Sequence, residues 1–257
     1  MLIKDSGFII SQKKFGENLI LVNILSKDNG LLKGLWRITK NKKIILFENV
    51  SFNYRTKNIN GLGYFKIETN YSVFNLKEDF ISLLIKASIG ELCHLFIPAN
   101  EKNIMIYKEI NKITQFLYND SKASLKTKCR EYILFELRFL KNIGYGLNIS
   151  RCVVSGSISN LKFISPKSGC AVSEKHGLPF KNKLFKLPEF FIDNKSNVSV
   201  NEIIDGFKIT SFFLKRARDS MTTNRKLIFR DEILKKIQSS FRTRNPATVH
   251  KKFQIIE

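Results

Sequence analysis

Cations and aromatic rings gather where two short apolar runs end. Lys33, Trp36 and Arg37 sit on one run, and Lys40, Lys42 and Lys43 follow it directly; Tyr54, Arg55 and Lys57 close the next. Cations neutralise the phosphates of a polyanion and exposed rings stack on bases, so this combination has the chemistry of nucleic-acid contact. A ring at Trp36 or Tyr54 also suits the inside of a small barrel, and for either ring alone that is the better reading. The expectation of phosphate contact therefore rests on the lysines and arginines as a set. A second cluster, Lys215, Arg216, Arg218, Arg225, Lys226 and Arg230, falls on two predicted helices nearer the C-terminal end. It is an unusually basic face unless something binds it.

These clusters belong to a chain with 44 lysines and arginines against 22 acids, a formal charge of +22 over 257 residues. So basic a chain repels itself and attracts polyanions, nucleic acid first and an anionic membrane face second. Lys-, Asn- and Ile-rich composition fits AT-rich coding, but that bias does not explain the scarcity of acids. No membrane partner is expected, because no stretch approaches the ~18–20 apolar residues of a spanning helix. The first twelve residues lack the apolar block of a signal peptide, which makes the cytoplasm the expected location.

Catalysis has little to build on. His94, His176 and His250 are isolated, the acids are scattered, and no phosphate-binding or metalloprotease motif occurs, so no enzyme activity is expected. Cys93, Cys129, Cys152 and Cys170 form no C-x-x-C pair and are expected as free thiols in a reducing compartment. Cys152 and Cys170 each precede a serine by three residues, Ser155 and Ser173, where a zinc ribbon has its second cysteine. A neutral serine is a very poor zinc ligand, and even with His176 as a third donor a fourth is missing. No metal and no cofactor are expected; packing of Val153, Phe163, Ile164 and Val172 is expected to hold this region instead.

The elements that position these residues change character along the chain. Apolar alternation around Phe8 and Ile10, over Leu19–Ile24, Leu31–Ile38, Ile44–Tyr54 and Leu62–Thr69 predicts five strands, with a hairpin turn at Asp28-Asn29-Gly30. Five short strands in about seventy residues suggest a small barrel such as an OB-fold. From Leu76 apolar residues recur at helical spacing, predicting helices ended by Pro98, near Asn119 and at Gly144. Residues 150–188 read as an irregular, knuckle-like insertion. Helical spacing returns at Ile203–Ala217 and again at Ile233–Ile237, with a tail from Phe241 that frays. The expected fold is α+β, with a five-stranded OB-fold barrel at 1–75 and a helical domain at 76–257 carrying the insertion at 150–188.

The order of these pieces resembles the RecO family of DNA repair and recombination proteins. Phe15-Gly16-Glu17-Asn18, then Gly30-Leu31-Leu32-Lys33-Gly34 and a basic loop, is similar to its amino-terminal signature, and Leu62–Glu68 to its fifth strand. Phe135-Glu136-Leu137, Leu140 and Gly144-Tyr145-Gly146-Leu147 resemble its central helix and turn. Arg151–Gly156, Ser165–Gly169 and Ala171-Val172-Ser173 resemble its zinc-less alphaproteobacterial branch. The resemblance implies an OB-fold, a helical domain and a degenerate zinc-finger region. It implies a non-enzymatic mediator that binds single- and double-stranded DNA, anneals complementary strands and assists RecA loading. Its implied partners are RecR and the acidic C-terminal tail of the single-stranded DNA-binding protein SSB. Family members often carry an arginine just before the Phe-Glu-Leu triplet that helps hold that tail; here the position is Leu134, and Arg130 or Arg138 is the substitute.

The expected DNA contacts are thus Lys33, Trp36, Arg37, Lys40, Lys42, Lys43, Arg55, Lys57, Lys215, Arg216, Arg218 and Arg225, with Arg130 and Arg138 for the SSB tail. The alternative is an OB-fold RNA-binding protein of ribosome or tRNA maturation. A nuclease needs a metal–carboxylate site that the sequence does not show.

Overall fold

A computed structural model describes residues 1–38, 44–58, 61–68, 78–193, 198–221 and 225–242. The basic loop with Lys40, Lys42 and Lys43, and the tail beyond 242, lie outside the described residues.

Strand β1 (Leu2–Lys14) pairs along both edges, its second half with β2 (Leu19–Ser26) and its first with β4 (Asn49–Arg55). β3 (Gly30–Arg37) runs antiparallel to β2, and β5 (Gly63–Glu68) antiparallel to β4. Parallel pairing of β3 with β5, from Gly34–Gly63 to Trp36–Phe65, closes the barrel in the order β1-β2-β3-β5-β4. The architecture is that of an OB-fold. Alternation decides which side chains fill it: Ile3, Ile24, Trp36, Tyr54, Phe65 and Ile67 all point into one buried cluster.

The predicted fourth strand is shorter than expected, because residues 44–48 do not pair as a strand. Phe47 has φ 62°, a left-handed conformation that breaks extended backbone. The apolar residues there serve another purpose: Ile44 and Phe47 are buried at the barrel wall, and the Phe47 N–H donates to Ile9 O at 2.8 Å. The Asp28–Gly30 turn forms as expected. Gly30 has φ 71°, and a Cβ there would lie 2.1 Å from Glu101 O, so only glycine fits. The Asp5 carboxylate braces this turn, accepting from the Ser26 hydroxyl, from Asp28 N–H at 3.0 Å and from Asn29 Nδ2 at 2.8 Å.

The chain forms two compact units. The first comprises residues 1–121 with 227–230: the barrel, α1 (Phe80–Phe96), α2 (Ile104–Asn119) and the start of α6 (Ile228–Arg242). Asp79 caps α1, its carboxylate accepting from Ile81 and Ser82 N–H at 3.1 Å each. α1 crosses β1 at the bulge between Ile9 and Ser11, where a Cβ on Gly90 would come within 2.9 Å of Ile10 O.

The second unit comprises residues 122–226 and 231–257. α3 (Leu125–Asn142) packs on α5 (Val200–Ser220), with the Tyr132 and Phe207 rings 6.1 Å apart. Residues 150–188 are more regular than expected. They hold a three-stranded sheet in the order β7-β6-β8, from β6 (Leu161–Ile164), β7 (Ala171–Ser173) and β8 (Phe185–Lys186), and one helical turn, α4 (Glu174–Gly177).

Candidate nucleic-acid interface

Inward and outward positions alternate along each barrel strand, and this sorts the predicted contacts. Lys33 and Arg37 occupy outward, exposed positions of β3; Arg55 ends β4 exposed, and Lys57 follows it exposed. None of these four makes an ion pair with another described residue. Trp36 does not belong with them. It points inward and is 4% exposed, so it fills the core and offers no ring to a base. Tyr54 is buried too, its hydroxyl donating to Lys33 O at 3.0 Å, and burial pushes its phenol above the ordinary value.

The outer surface of β1, β4 and β5 carries a ring that the sequence reading passed over. Tyr64 is 59% exposed, and the strand register places it between Leu35 of β3 and Arg55 of β4, with the exposed Leu2 beyond Arg55 on β1. One row along, Lys66, Asn53 and Lys4 lie abreast. The signal was present in Gly63–Glu68, where Gly63, Phe65 and Ile67 must face the core and leave Tyr64, Lys66 and Glu68 outside. Between β1 and β2, Ser11 Oγ accepts from Asn23 Nδ2 at 2.9 Å and meets His94 Nε2 of α1 at 2.7 Å.

The C-terminal cation cluster is different. Arg216 Nη1 donates to Lys167 O at 3.0 Å and to Pro166 O at 3.4 Å, clamping a loop of its own unit. Arg218 pairs with its neighbour Asp219 at 3.4 Å. Arg230 is buried at 3% exposure, which corrects its placement on a solvated face. Lys215, Arg225 and Lys226 remain exposed. On α3, Arg130, Leu134 and Arg138 recur every four residues and so share a face. Leu134 is buried, Arg138 is half-buried, and Arg130 pairs with Glu131.

The family model described as "Recombination protein O C terminal" matches residues 77–219. A "DNA repair protein RecO" of Ehrlichia chaffeensis is 30% identical over 91% of this chain and 97% of its own length. The chain belongs to the RecO family. Other similar proteins of that name come from Anaplasma marginale (strain Florida), 31% identical over 83% of this chain and 90% of the relative, and from Rickettsia akari, 31% identical over 84% and 90%.

In this RecO-family chain the degenerate knuckle is built around one thiol. Cys152 is 1% exposed, and its Sγ accepts from Ser173 N–H at 3.3 Å. Burial pushes the thiol up, but hydrogen bonds from the hydroxyl and backbone of both Ser155 and Ser173 outweigh it and bring Cys152 down to about 6. Ser173 Oγ also meets His176 Nδ1 at 3.0 Å. Cys152, Ser155, Ser173 and His176 therefore form one network. Cys170 turns away, its thiol donating to Ser168 O at 3.6 Å, which corrects the pairing of Cys170 with Ser173 suggested by spacing. Val153, expected to pack here, is 53% exposed, while Ile164 and Val172 are buried as expected. One thiol, one imidazole and two neutral hydroxyls do not make the four-donor set of structural zinc. Among the described residues, no three His, Cys, Asp or Glu side chains come close enough to hold a metal ion, and no helix is long and apolar enough to cross a membrane.

Proposed function

We propose that this chain is a DNA repair and recombination mediator of the bacterial cytoplasm, acting at the nucleoid without catalysis of its own. It binds single- and double-stranded DNA, anneals complementary strands and, with RecR, assists RecA loading on SSB-coated DNA. The observation that supports this reading is the closed barrel whose outward cations Lys33, Arg37, Arg55 and Lys57 have no ion-pair partner among the described residues, in a chain of charge +22. Exposed cations displace the counterions of two strands at once and lower the repulsion between them; base pairing then supplies specificity, so no base-reading helix is needed. Lys40, Lys42 and Lys43 join this contact on the sequence argument that four cations with Arg37 within seven residues cannot be buried unpaired.

The α3 face with Arg130 and Arg138 is the proposed seat of the SSB tail. A carboxylate-rich peptide arriving there competes with Glu131 for Arg130.

The test is annealing of complementary oligonucleotides coated with SSB, with and without RecR. Accelerated annealing supports the mediator reading. Preference for RNA in competition redirects it to RNA maturation, and Mg²⁺-dependent cleavage redirects it to a nuclease.

A further inference from the structure

OB barrels usually contact oligonucleotides with strands 2 and 3 and the loops beside them. In this chain that side is partly covered. Leu31 and Leu35, at outward positions of β3, are buried, and Asn100 N–H donates to Leu31 O at 3.2 Å. The side formed by β1, β4 and β5 is covered by α2 at one end, where Asn49 Nδ2 donates to the Tyr107 hydroxyl at 2.9 Å and the Phe8 and Tyr107 rings lie 5.1 Å apart. The other end, with Leu2, Lys4, Arg55, Tyr64 and Lys66 exposed, is open. Tyr64, Lys66 and Glu68, the outward positions of β5, are all exposed.

Antiparallel neighbours lie ~4.5–5.5 Å apart, so Arg55 stands directly beside the Tyr64 ring, with Leu2 next to it. Two residues along the strands, roughly 7 Å away, come Lys66, Asn53 and Lys4. Glu68 lies one row further, opposite Ser51 and Ser6, and is the acid on this surface of the three strands. A large exposed ring with a guanidinium beside it and two ammonium groups beyond is complementary to an unstacked base and its flanking phosphates. Duplex DNA offers the phosphates but no free base face, so it gains from the lysines and arginine without using the ring.

We propose that the outer face of β1, β4 and β5 is a stacking platform for single-stranded DNA, with a base on Tyr64 and the adjacent phosphates on Arg55, Lys66 and Lys4. This rests on the DNA-binding reading above and locates within it the element that separates single strands from duplex.

The full-length chain is titrated with fluorescent oligo-dT and, separately, with a blunt duplex. Tyr64→Ala is expected to weaken oligo-dT binding about fivefold to a hundredfold, the range for loss of one stacked base. It leaves duplex affinity unchanged, and it leaves the salt dependence for oligo-dT unchanged, because a neutral ring releases no counterions. Tyr64→Phe keeps the face and stays close to wild type. Photocrosslinking of wild-type protein to 5-iodouracil-substituted oligo-dT needs no variant and is expected to mark the peptide containing Tyr64. Tyr64→Ala equal to wild type on oligo-dT, an equal loss on duplex, or crosslinks confined to other peptides overturns the platform while leaving DNA binding intact. A wild-type chain that binds neither DNA overturns the mediator reading and the platform together.

Discussion

The barrel and the knuckle use their polar side chains in opposite ways. In the barrel, apolar residues such as Ile24, Phe65 and Ile67 hold the fold, and the cations on outward positions are left facing solvent. In the knuckle, polar groups do the holding: Cys152 gathers Ser155 and Ser173, Ser173 meets His176, and Arg216 clamps the carbonyls of Pro166 and Lys167. A closed five-stranded barrel buries enough apolar surface that its polar fastening is confined to places such as the Asp5-braced turn. A sheet of strands four, three and two residues long does not. The outward barrel cations Lys33, Arg37, Arg55 and Lys57 are thus available to a ligand, whereas Cys152, Ser173, His176 and Arg216 are committed to the fold.

The comparison breaks most visibly if barrel cations prove structural. Changing Arg37, Lys40, Lys42 and Lys43 to Glu is expected to abolish or strongly weaken DNA binding and annealing while the chain stays folded. Each phosphate contact removed flattens the log-affinity against log-salt slope by roughly 0.7 for single strands and 0.9 for duplex. Unchanged affinity in the folded variant moves the contact elsewhere, first to Lys215 and Arg225.

On α3, Arg130→Ala with Arg138→Ala is expected to abolish binding of an SSB-tail peptide at low salt, measured by fluorescence anisotropy, and to leave binding of naked DNA in place. Retained peptide binding removes the tail from this face.

The knuckle predictions concern stability and metal content. The purified protein is expected to contain no stoichiometric zinc by elemental analysis. Ser155→Cys combined with Ser173→Cys, which completes a three-thiol, one-imidazole set with Cys152 and His176, is expected to take up about one zinc per chain. Failure of the double variant to bind zinc means that the four positions do not converge as the hydrogen bonds indicate.

Cys152→Ala isolates the thiol. Its folded-state value of about 6 lies below the ordinary 9, so the thiolate stabilises the fold fully above pH 9. That contribution shrinks as the pH falls and is gone below about pH 6. The stability advantage of wild type over Cys152→Ala is therefore expected to rise from pH 6 to pH 9, with DNA affinity unaffected; an advantage independent of pH shows that burial alone is responsible.

The smallest effect is expected from Arg216→Ala. It loses two hydrogen bonds near the surface, worth up to about 1 kcal/mol, seen as a slightly lower denaturation midpoint with an unchanged DNA salt slope.

The barrel was largely legible in the sequence, because period-two alternation reports directly on which side chains share a face. The same rule, applied to Gly63–Glu68, exposes Tyr64 and buries Trp36, since Trp36 is in register with the inward Phe65. It misled at residues 44–48, where apolar side chains cover the barrel wall from a turn, a position that pattern alone cannot tell from a strand. The C-terminal arginines resisted reading for a different reason. Arg216, Arg218 and Arg230 have one charge and one helical spacing, and only the contacts of the folded chain make the first a clamp, the second a neighbour's partner and the third a buried side chain. In the knuckle, spacing pointed to Cys152, Ser155, Ser173 and His176, but it also paired Cys170 with Ser173, and only the folded chain shows Cys170 turned to Ser168 and Ser173 bound to Cys152.

Residues 227–230 belong to the first unit although about a hundred residues of the second precede them in the chain. Their attachment includes the Phe229 N–H, which donates to Glu91 Oε2 of α1 at 3.0 Å across 138 positions of sequence. During synthesis, the barrel with α1 and α2 leaves the ribosome first, yet its last piece arrives after the whole of α5 has been translated. The amino-terminal unit therefore waits, incomplete, while the carboxy-terminal unit is being made, and a nascent chain released before residue 227 lacks the backbone donor that Phe229 offers to Glu91.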